Sequence, residues 1–190
     1  MEFTYVVEGT SVVTIIVDDA GIGDLLFGVV IGAYRSETQE FTYGVVDVSC
    51  FQDPSFNQKE YLKKTSRIAF QLLERLRFKA NEPILICNGF IFDRAFVDLI
   101  EKYSDAQVRR TKVSGEPQRL TETAYLDEIR NLGYEPLKER EKKRAKSFYH
   151  MLHWLERNPD KIKYAKTGWP KLSRYHLFKP TSQTRANEPI

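Results

Sequence analysis

The apolar positions of the chain first come in short continuous runs and later at helical spacing. Val12-Val13-Thr14-Ile15-Ile16-Val17 is a β-branched run, too continuous for a strand with one wet face and suited to the buried centre of a sheet. It predicts a first strand that stops at Asp18-Asp19-Ala20-Gly21-Ile22-Gly23-Asp24, a turn signal. A second run, Phe27 to Tyr34, is followed by polar Arg35 to Glu40, and Phe41 to Phe51 reads as a third strand. The short spacers predict hairpins, and hence three antiparallel strands.

Helical periodicity begins beyond Asp53-Pro54-Ser55. Tyr61, Ile68, Leu72, Leu73 and Leu76 fall on one side and Lys63, Lys64, Arg67 and Arg75 largely on the other, with Ser55 or Asn57 as the candidate cap. Ile84-Leu85-Ile86-Cys87 is a short apolar strand ending in Asn88-Gly89; a helix over 93–103, a strand over 107–113 and a helix over 120–132 follow. Residues 137–157 predict a longer helix, with Ala145, Phe148, Leu152 and Leu155 at helical spacing and Lys142, Lys143, Arg144 and Lys146 crowding its first half. Asn158-Pro159 opens one more short helix, and the tail after Pro180 is polar and expected to fray.

This pattern divides the chain into an α/β domain over 1–135, a basic helical extension over 136–180 packed on it, and a tail over 181–190. With 190 residues, 42% hydrophobic and 29% charged, it is long enough to bury a sizeable core without staples. No stretch approaches the ~20 apolar residues of a membrane span, and Met1 to Val7, short and carrying Glu2, does not read as a secretory signal. The expectation is a cytoplasmic protein with no membrane partner. Its two cysteines, Cys50 and Cys87, sit in or beside apolar runs, where a reduced, buried thiol is the common state. The net charge of +3 conceals a division: residues 1–108 carry 10 Lys/Arg against 16 Asp/Glu, a net of −6, and residues 109–190 carry 19 against 10, a net of +9. An acidic half joined to a basic half is what a cation-assisted phosphodiester site beside a backbone-binding surface would look like, and equally two solvated surfaces of opposite sign.

The order strand, strand, strand, helix, strand, helix, strand, helix, together with the first turn, resembles the ribonuclease-H-like superfamily over roughly residues 12–133. Val17-Asp18-Asp19-Ala20-Gly21-Ile22-Gly23 is similar to the Asp-Glu-Ala-Gly-Arg-Gly segment of type 2 ribonucleases H, to the Ile-Asp-Pro-Gly of RuvC-like resolvases, and to the Ile-Asp-Asp-Gly of an archaeal family related to endonuclease V. Each of these has an aspartate at the end of the central strand that binds a divalent cation, so the resemblance gives that role to Asp18. Ile84 to Ile100 looks like the fourth strand and following helix of the endonuclease-V-related group, and catalytic relatives usually have Asp or Glu where Asn88 stands. An asparagine oxygen can contact a cation but adds no negative charge. Residues 111–132 resemble loosely the last strand and carboxylate-bearing helix of RuvC-like proteins.

What the resemblance implies is hydrolysis assisted by Mg2+ or Mn2+, which needs acidic side chains converging from different elements to hold a pair of cations ~4 Å apart. Side chains alternate along a strand, so one of Asp18 and Asp19 serves the site while the other caps or solvates; Asp18 is the first choice of ligand and Asp19 the second. The alternative for both is an Asx-turn before Gly21. Asp47, closing the third strand, and Glu60, in the first turns of the first helix, are further metal-ligand candidates, although a carboxylate near a helix start is also ordinary stabilisation. Glu122 and Asp127 do not share a helix face well, and Glu122 is chosen as a third catalytic carboxylate beside Asp18 and Asp19. Asn88 completes the metal set.

A nucleic-acid surface is expected over 158–179, where Lys161, Lys163, Lys166, Lys171 and Arg174 alternate with aromatics including Trp169. Aromatics that stack on bases beside cations that meet phosphates form a single-strand platform, and the competing role of such aromatics is to anchor the appendage to the domain. His150, His153 and His176 have no metal spacing with cysteine, and neither a phosphate loop, a complete dinucleotide turn nor a serine elbow is present. Two functions remain: a metal-dependent nuclease acting on structured or damaged DNA or RNA, and an inert protein of the same fold that binds nucleic acid or serves as a scaffold. If both cysteines are simple small hydrophobes, a reducing agent leaves the melting temperature unchanged in a thermal scan; a drop of several degrees would contradict that reading.

Overall fold

The β-branched first run lies at the centre of a five-stranded mixed sheet. The computed structural model describes residues 13–103, 108–138, 140 and 142–179; the tail over 181–190 lies outside them. The strands are β1 (Ile15–Ala20), β2 (Val29–Arg35), β3 (Phe41–Val46), β4 (Ile84–Cys87) and β5 (Val108–Thr111), in the order β3-β2-β1-β4-β5. β1, β2 and β3 pair antiparallel as the short spacers predict, and β4 and β5 run parallel to β1. The helices are α1 (Glu60–Arg75), α2 (Asp93–Lys102), α3 (Glu116–Asn131) and α4 (Arg144–Arg157), followed by short 3-10 turns.

Helices cover both faces of the sheet, which is why β2 is buried at every position and why the first run shows no alternation. On one face Ile15, Val17, Ile31, Ile84 and Ile86 pack with Ile68, Leu72 and Leu73 of α1 and with Ala95 and Leu99 of α2. On the other, Ala20 and Val30 pack with Ala124, Tyr125 and Ile129 of α3, Met151, Leu152 and Leu155 of α4, and Leu172 beyond it. The extension is therefore part of the second core layer. α3 approaches β2 closely at Gly32, where a Cβ would stand 2.2 Å from Thr121 Oγ1. Gly32 is also the ladder partner of Asp18, so α3 is seated beside that carboxylate.

Several boundaries depart from the sequence expectation for identifiable reasons. β1 starts later and continues through Asp18 and Asp19, because its ladder with β2 runs on to Ala20 opposite Val30. β3 stops at Val46: Asp47 Oδ1 accepts from the Ser49 amide at 2.9 Å and from its hydroxyl at 2.6 Å, capping a 3-10 turn over Val48–Phe51. α1 starts at Glu60 rather than near Asn57, whose amide donates to Asp53 at 2.6 Å, and Lys59 before it is left-handed. α3 starts four residues early with Pro117 in its first turn, where a missing N–H costs nothing. α4 starts at Arg144, seven residues late.

At the end of β1 away from Asp18, Arg35 is the ladder partner of Ile15 and forms a buried ion pair with Glu82 at 2.7 Å, while also donating to the Leu76 carbonyl. Burial works to raise the Glu82 carboxyl, but hydrogen bonds from Arg35 and the Lys79 amide outweigh it and hold it below its ordinary value. Its contribution is thus present above the unfolded carboxylate pKa and lost as pH falls through the lowered folded one. Glu82→Gln leaves a buried guanidinium without a counter-charge and should cost about 3 kcal/mol at pH 7. Urea unfolding of both proteins at pH 7 and pH 3 checks this: the gap should narrow in acid, and an equal gap at both would contradict it.

Candidate functional site

The ladder between β1 and β4 ends at Val17 opposite Ile86, whereas the ladder between β1 and β2 continues for three more residues. Beyond Val17, β1 has no ladder partner on the β4 side. The chain leaves β1 towards β2 on one flank while β4 lies on the other, so the opening falls where the connections diverge at the carboxyl ends of parallel strands, the usual ligand crevice of an open α/β sheet. Asp18 is 5% exposed there and Asp19 is half-buried. A carboxylate oxygen of each and Sγ of Cys87, the last residue of β4, lie within 4.8 Å of one another. Among the described residues this is the one such grouping of acidic, histidine or cysteine ligand atoms.

Alternation was expected to leave only one of the two aspartates at the site, and the structure corrects this. Their backbones alternate, but both side chains reach the open flank at the strand end, and both residues stand in the ladder opposite Gly32 and Ile31 rather than in an Asx-turn. Cys87 brings its thiol beside both carboxylates. Gly89, two residues on, leaves room for Asp19: a Cβ at that position would stand 2.9 Å from Asp19 Oδ1.

These groups are held away from water, and their ionisation reflects it. Burial raises the Asp18 carboxyl, with hydrogen bonds from Cys87 and the Asp19 amide opposing. Burial and then the charge of Asp18 raise Asp19 to about 7, with the Lys166 ammonium opposing. Burial pushes the Cys87 thiol up to about 12, so it stays protonated and can donate to Asp18. Lys166 is wholly buried; its Nζ donates to the Gly21 carbonyl and, at 2.9 Å, to that of Asp24, beneath the rings of Phe51 and Trp169. Burial lowers its amine to about 7, against the pull of Asp24 and Asp19. A second buried cation, Arg140, binds both Asp24 and Glu122 and stacks 5.0 Å over the Tyr125 ring.

The other sequence candidates do not join the cluster. Glu122 is on α3 as expected, but its carboxylate is directed to Arg140. Asp47 is exposed and occupied as a cap, and β3 is the sheet edge, separated from β1 by β2. Glu60 pairs with Lys63 at 2.8 Å across the start of α1. The side chain beside Asp18 belongs to Cys87; Asn88, one residue later, is exposed and its amide donates to the Thr111 carbonyl. Of the basic residues, Lys163, Lys171 and Arg174 are exposed, Lys161 is half-exposed near Asp160, and Lys166 is withdrawn into the site. Lys166 cannot meet a phosphate from there, because its ammonium is wholly buried and donates inward to two carbonyls. Trp169, Tyr175 and Phe178 pack against the second core, which is the anchoring role.

Cys87, Lys166, Asp24 and Arg140 are the parts that sequence reasoning missed. Cys87 had a signal: once the first and fourth strands are paired in parallel, Val17 opposite Ile86 sets Asp18 beside Cys87. Arg140 and Lys166 had none, since each reaches the turn after β1 from more than a hundred residues away. Chemically the cluster offers two carboxylates, hard donors that suit Mg2+ or Mn2+, and a thiol that fits better as a hydrogen-bond donor to one of them. A comparison with protein-family models and with curated proteins finds no match for the chain.

Because the charge of Asp18 is the second cause of the Asp19 shift, Asp18→Asn should lower the Asp19 pKa. Carboxyl-carbon NMR in a metal chelator should find Asp19 titrating at about 7 and moving down in the variant. An acid whose pKa rises on folding destabilises progressively as pH climbs from its unfolded value through its folded one, so the metal-free protein should lose stability from this group between about pH 4 and about pH 7. Titration of Asp19 near its ordinary 3.8 would contradict the buried-cluster description.

Proposed function

We propose that the crevice at the ends of β1 and β4 binds a divalent cation, Mg2+ or Mn2+, and that the protein is a metal-dependent nuclease of ribonuclease-H-like architecture acting on DNA or RNA. The observation that carries this is the convergence of the Asp18 and Asp19 carboxylates, with Cys87, within 4.8 Å at the end of the central strand. The strand order β3-β2-β1-β4-β5, with three antiparallel strands followed by two parallel ones, supports the architectural reading. It is the arrangement in which a carboxylate ending β1 comes beside the end of β4.

Asp18 and Asp19 would hold the ion, and one or two carboxylates are the usual protein share of a magnesium site that takes its other ligands from water and phosphate. A bound cation would supply Lewis-acid stabilisation of a phosphate and a more acidic water. The Cys87 thiol stands beside the Asp18 carboxylate, Gly89 keeps the crevice open beside Asp19, and Lys166, tied to the carbonyls of Gly21 and Asp24, fixes the turn that follows them. The basic second half supplies phosphate attraction.

A second reading, an inert protein that keeps this fold to bind nucleic acid or serve as a scaffold, is favoured by one specific observation. Glu122, the candidate third carboxylate, is ion-paired to a buried arginine that also holds Asp24. A cation site of two carboxylates would then survive without the acids that a pair of metals demands.

Calorimetry and nuclease assays separate the readings. Magnesium or manganese should raise the melting temperature, since a bound ligand stabilises the folded state, and Asp18→Asn should abolish both the rise and any cleavage. Cys87→Asp should tighten metal binding about tenfold or more by adding a carboxylate at the cluster, whereas Asn88→Asp should leave it within about twofold because Asn88 faces water. Metal binding without cleavage of any nucleic acid supports the inert reading; no binding at millimolar metal in all four proteins would overturn both the cation site and the nuclease.

A further inference from the structure

The lysine-rich start of α4, conspicuous in the sequence, is not used by the crevice. In the structure it is one end of a groove. At the other end lies a cavity of about 460 Å3 walled by Tyr134, His150, Trp154 and the 135–138 loop. Tyr134 is buried and forms the floor, with its hydroxyl 2.7 Å from His150 Nδ1 and its ring edge-on to Trp154 at 5.4 Å. A second hollow of about 260 Å3, lined by Leu137, Lys138, Lys143 and Lys146, shares Leu137 and Lys138 with the first. The two adjoin along that shared wall.

The helix makes this a linear array. Lys146, His150 and Trp154 follow one another at spacings of four, so they form one stripe along α4, and Lys143 stands at its N-cap three residues before Lys146. At 1.5 Å per residue the stripe with this cap residue runs about 16 Å, cationic at one end and aromatic at the other. Lys138, Lys143 and Lys146 are exposed, and Glu135, the acid among the described residues that line the cavity, lies 3.5 Å from Arg130.

We infer that this groove is a binding site for single-stranded nucleic acid, with a base against the Trp154 and His150 wall and neighbouring phosphates on Lys138, Lys143 and Lys146. An acidic peptide would satisfy the lysines but has no use for an aromatic wall backed by Pro136 and Leu137, whereas a base presents a π-face and stacks on one without regard to sequence. The cavity falls within the ~300–1,000 Å3 of ordinary ligand clefts. The stripe is longer than one nucleotide needs, which favours a strand over a mononucleotide. Trp154 packs in part against the second core, as Trp169, Tyr175 and Phe178 do, but it also lines the cavity, and this places the platform on α4 rather than over 158–179. This site is independent of the cation crevice and holds under either reading of it.

The test uses the full chain carrying Trp169→Phe, which leaves Trp154 as its sole indole, in a metal chelator so that the crevice cannot contribute. Titration with a short oligo-dT or oligo-rU should quench the indole fluorescence, with log K falling against log salt at a slope of about −2 for three phosphate contacts on a single strand. The double reversal Lys143→Glu, Lys146→Glu should weaken binding at least about tenfold, while Lys163→Glu, Lys171→Glu together should change it less than about twofold. Binding without quenching, quenching by ATP at affinity equal to the oligonucleotide, displacement by polyglutamate as effective as by oligonucleotide, or loss confined to the Lys163 and Lys171 reversals would each overturn the assignment.

Discussion

Two adjacent carboxylates at the end of the central strand, largely removed from water, are the constraint around which this structure is arranged. Taking a carboxylate out of water costs several kcal/mol unless something compensates, and here it is done twice on neighbouring residues. The compensation comes from distant parts of the chain. Cys87 sets a polar thiol beside Asp18 from the end of β4, and Lys166 brings its charge near Asp19 from the extension. Lys166 in turn clamps the turn after β1 through two carbonyls, and Arg140 clamps the same turn to α3 through Asp24 and Glu122. The extension is thus bound to the sheet through the surroundings of the site as well as through its apolar packing, which explains why it belongs to the second core rather than hanging from the domain.

The fold was legible wherever periodicity and turn chemistry act locally. The β-branched run before Asp18, the apolar stripe of α1 and the short strand ending at Cys87 each became the expected element, and short spacers correctly implied antiparallel pairing of the first three strands. Errors gathered at boundaries set by tertiary contact. β1 continues through Asp18 and Asp19 because β2 remains paired with it, and β3 ends early because the Asp47 side chain caps its own downstream turn. The late start of α4 leaves Arg140 in a turn, where its side chain reaches Asp24 and Glu122.

The site was legible only in its two adjacent aspartates, Asp18 chosen first and Asp19 second. Asp18 could be chosen because a strand-ending aspartate before a glycine turn is a local pattern. The remaining partners could not, since Cys87 joins through a parallel pairing across the sheet, and Lys166 and Arg140 through contacts spanning more than a hundred residues. Lys166 was misread for a physical reason: in a sequence, a lysine among lysines and aromatics looks solvated, and nothing local distinguishes one whose ammonium turns inward to carbonyls. The same ambiguity applies to Trp169 and Trp154, both of which pack in part on the second core while only Trp154 lines the cavity of α4.

The central claim is that Asp18 and Asp19 together hold a divalent cation at the β1–β4 crevice. The most direct measurement is paramagnetic broadening of the backbone amide NMR spectrum by sub-stoichiometric Mn2+, because the effect falls steeply with distance from the ion. The account predicts that signals of Asp18, Asp19, Cys87 and Gly89 vanish first, while those of β3 and α4 persist, and that added Mg2+ restores them by competition. Broadening that begins at Glu60 or at the exposed Asp47, or that spreads evenly over the acidic first half of the chain, would contradict it.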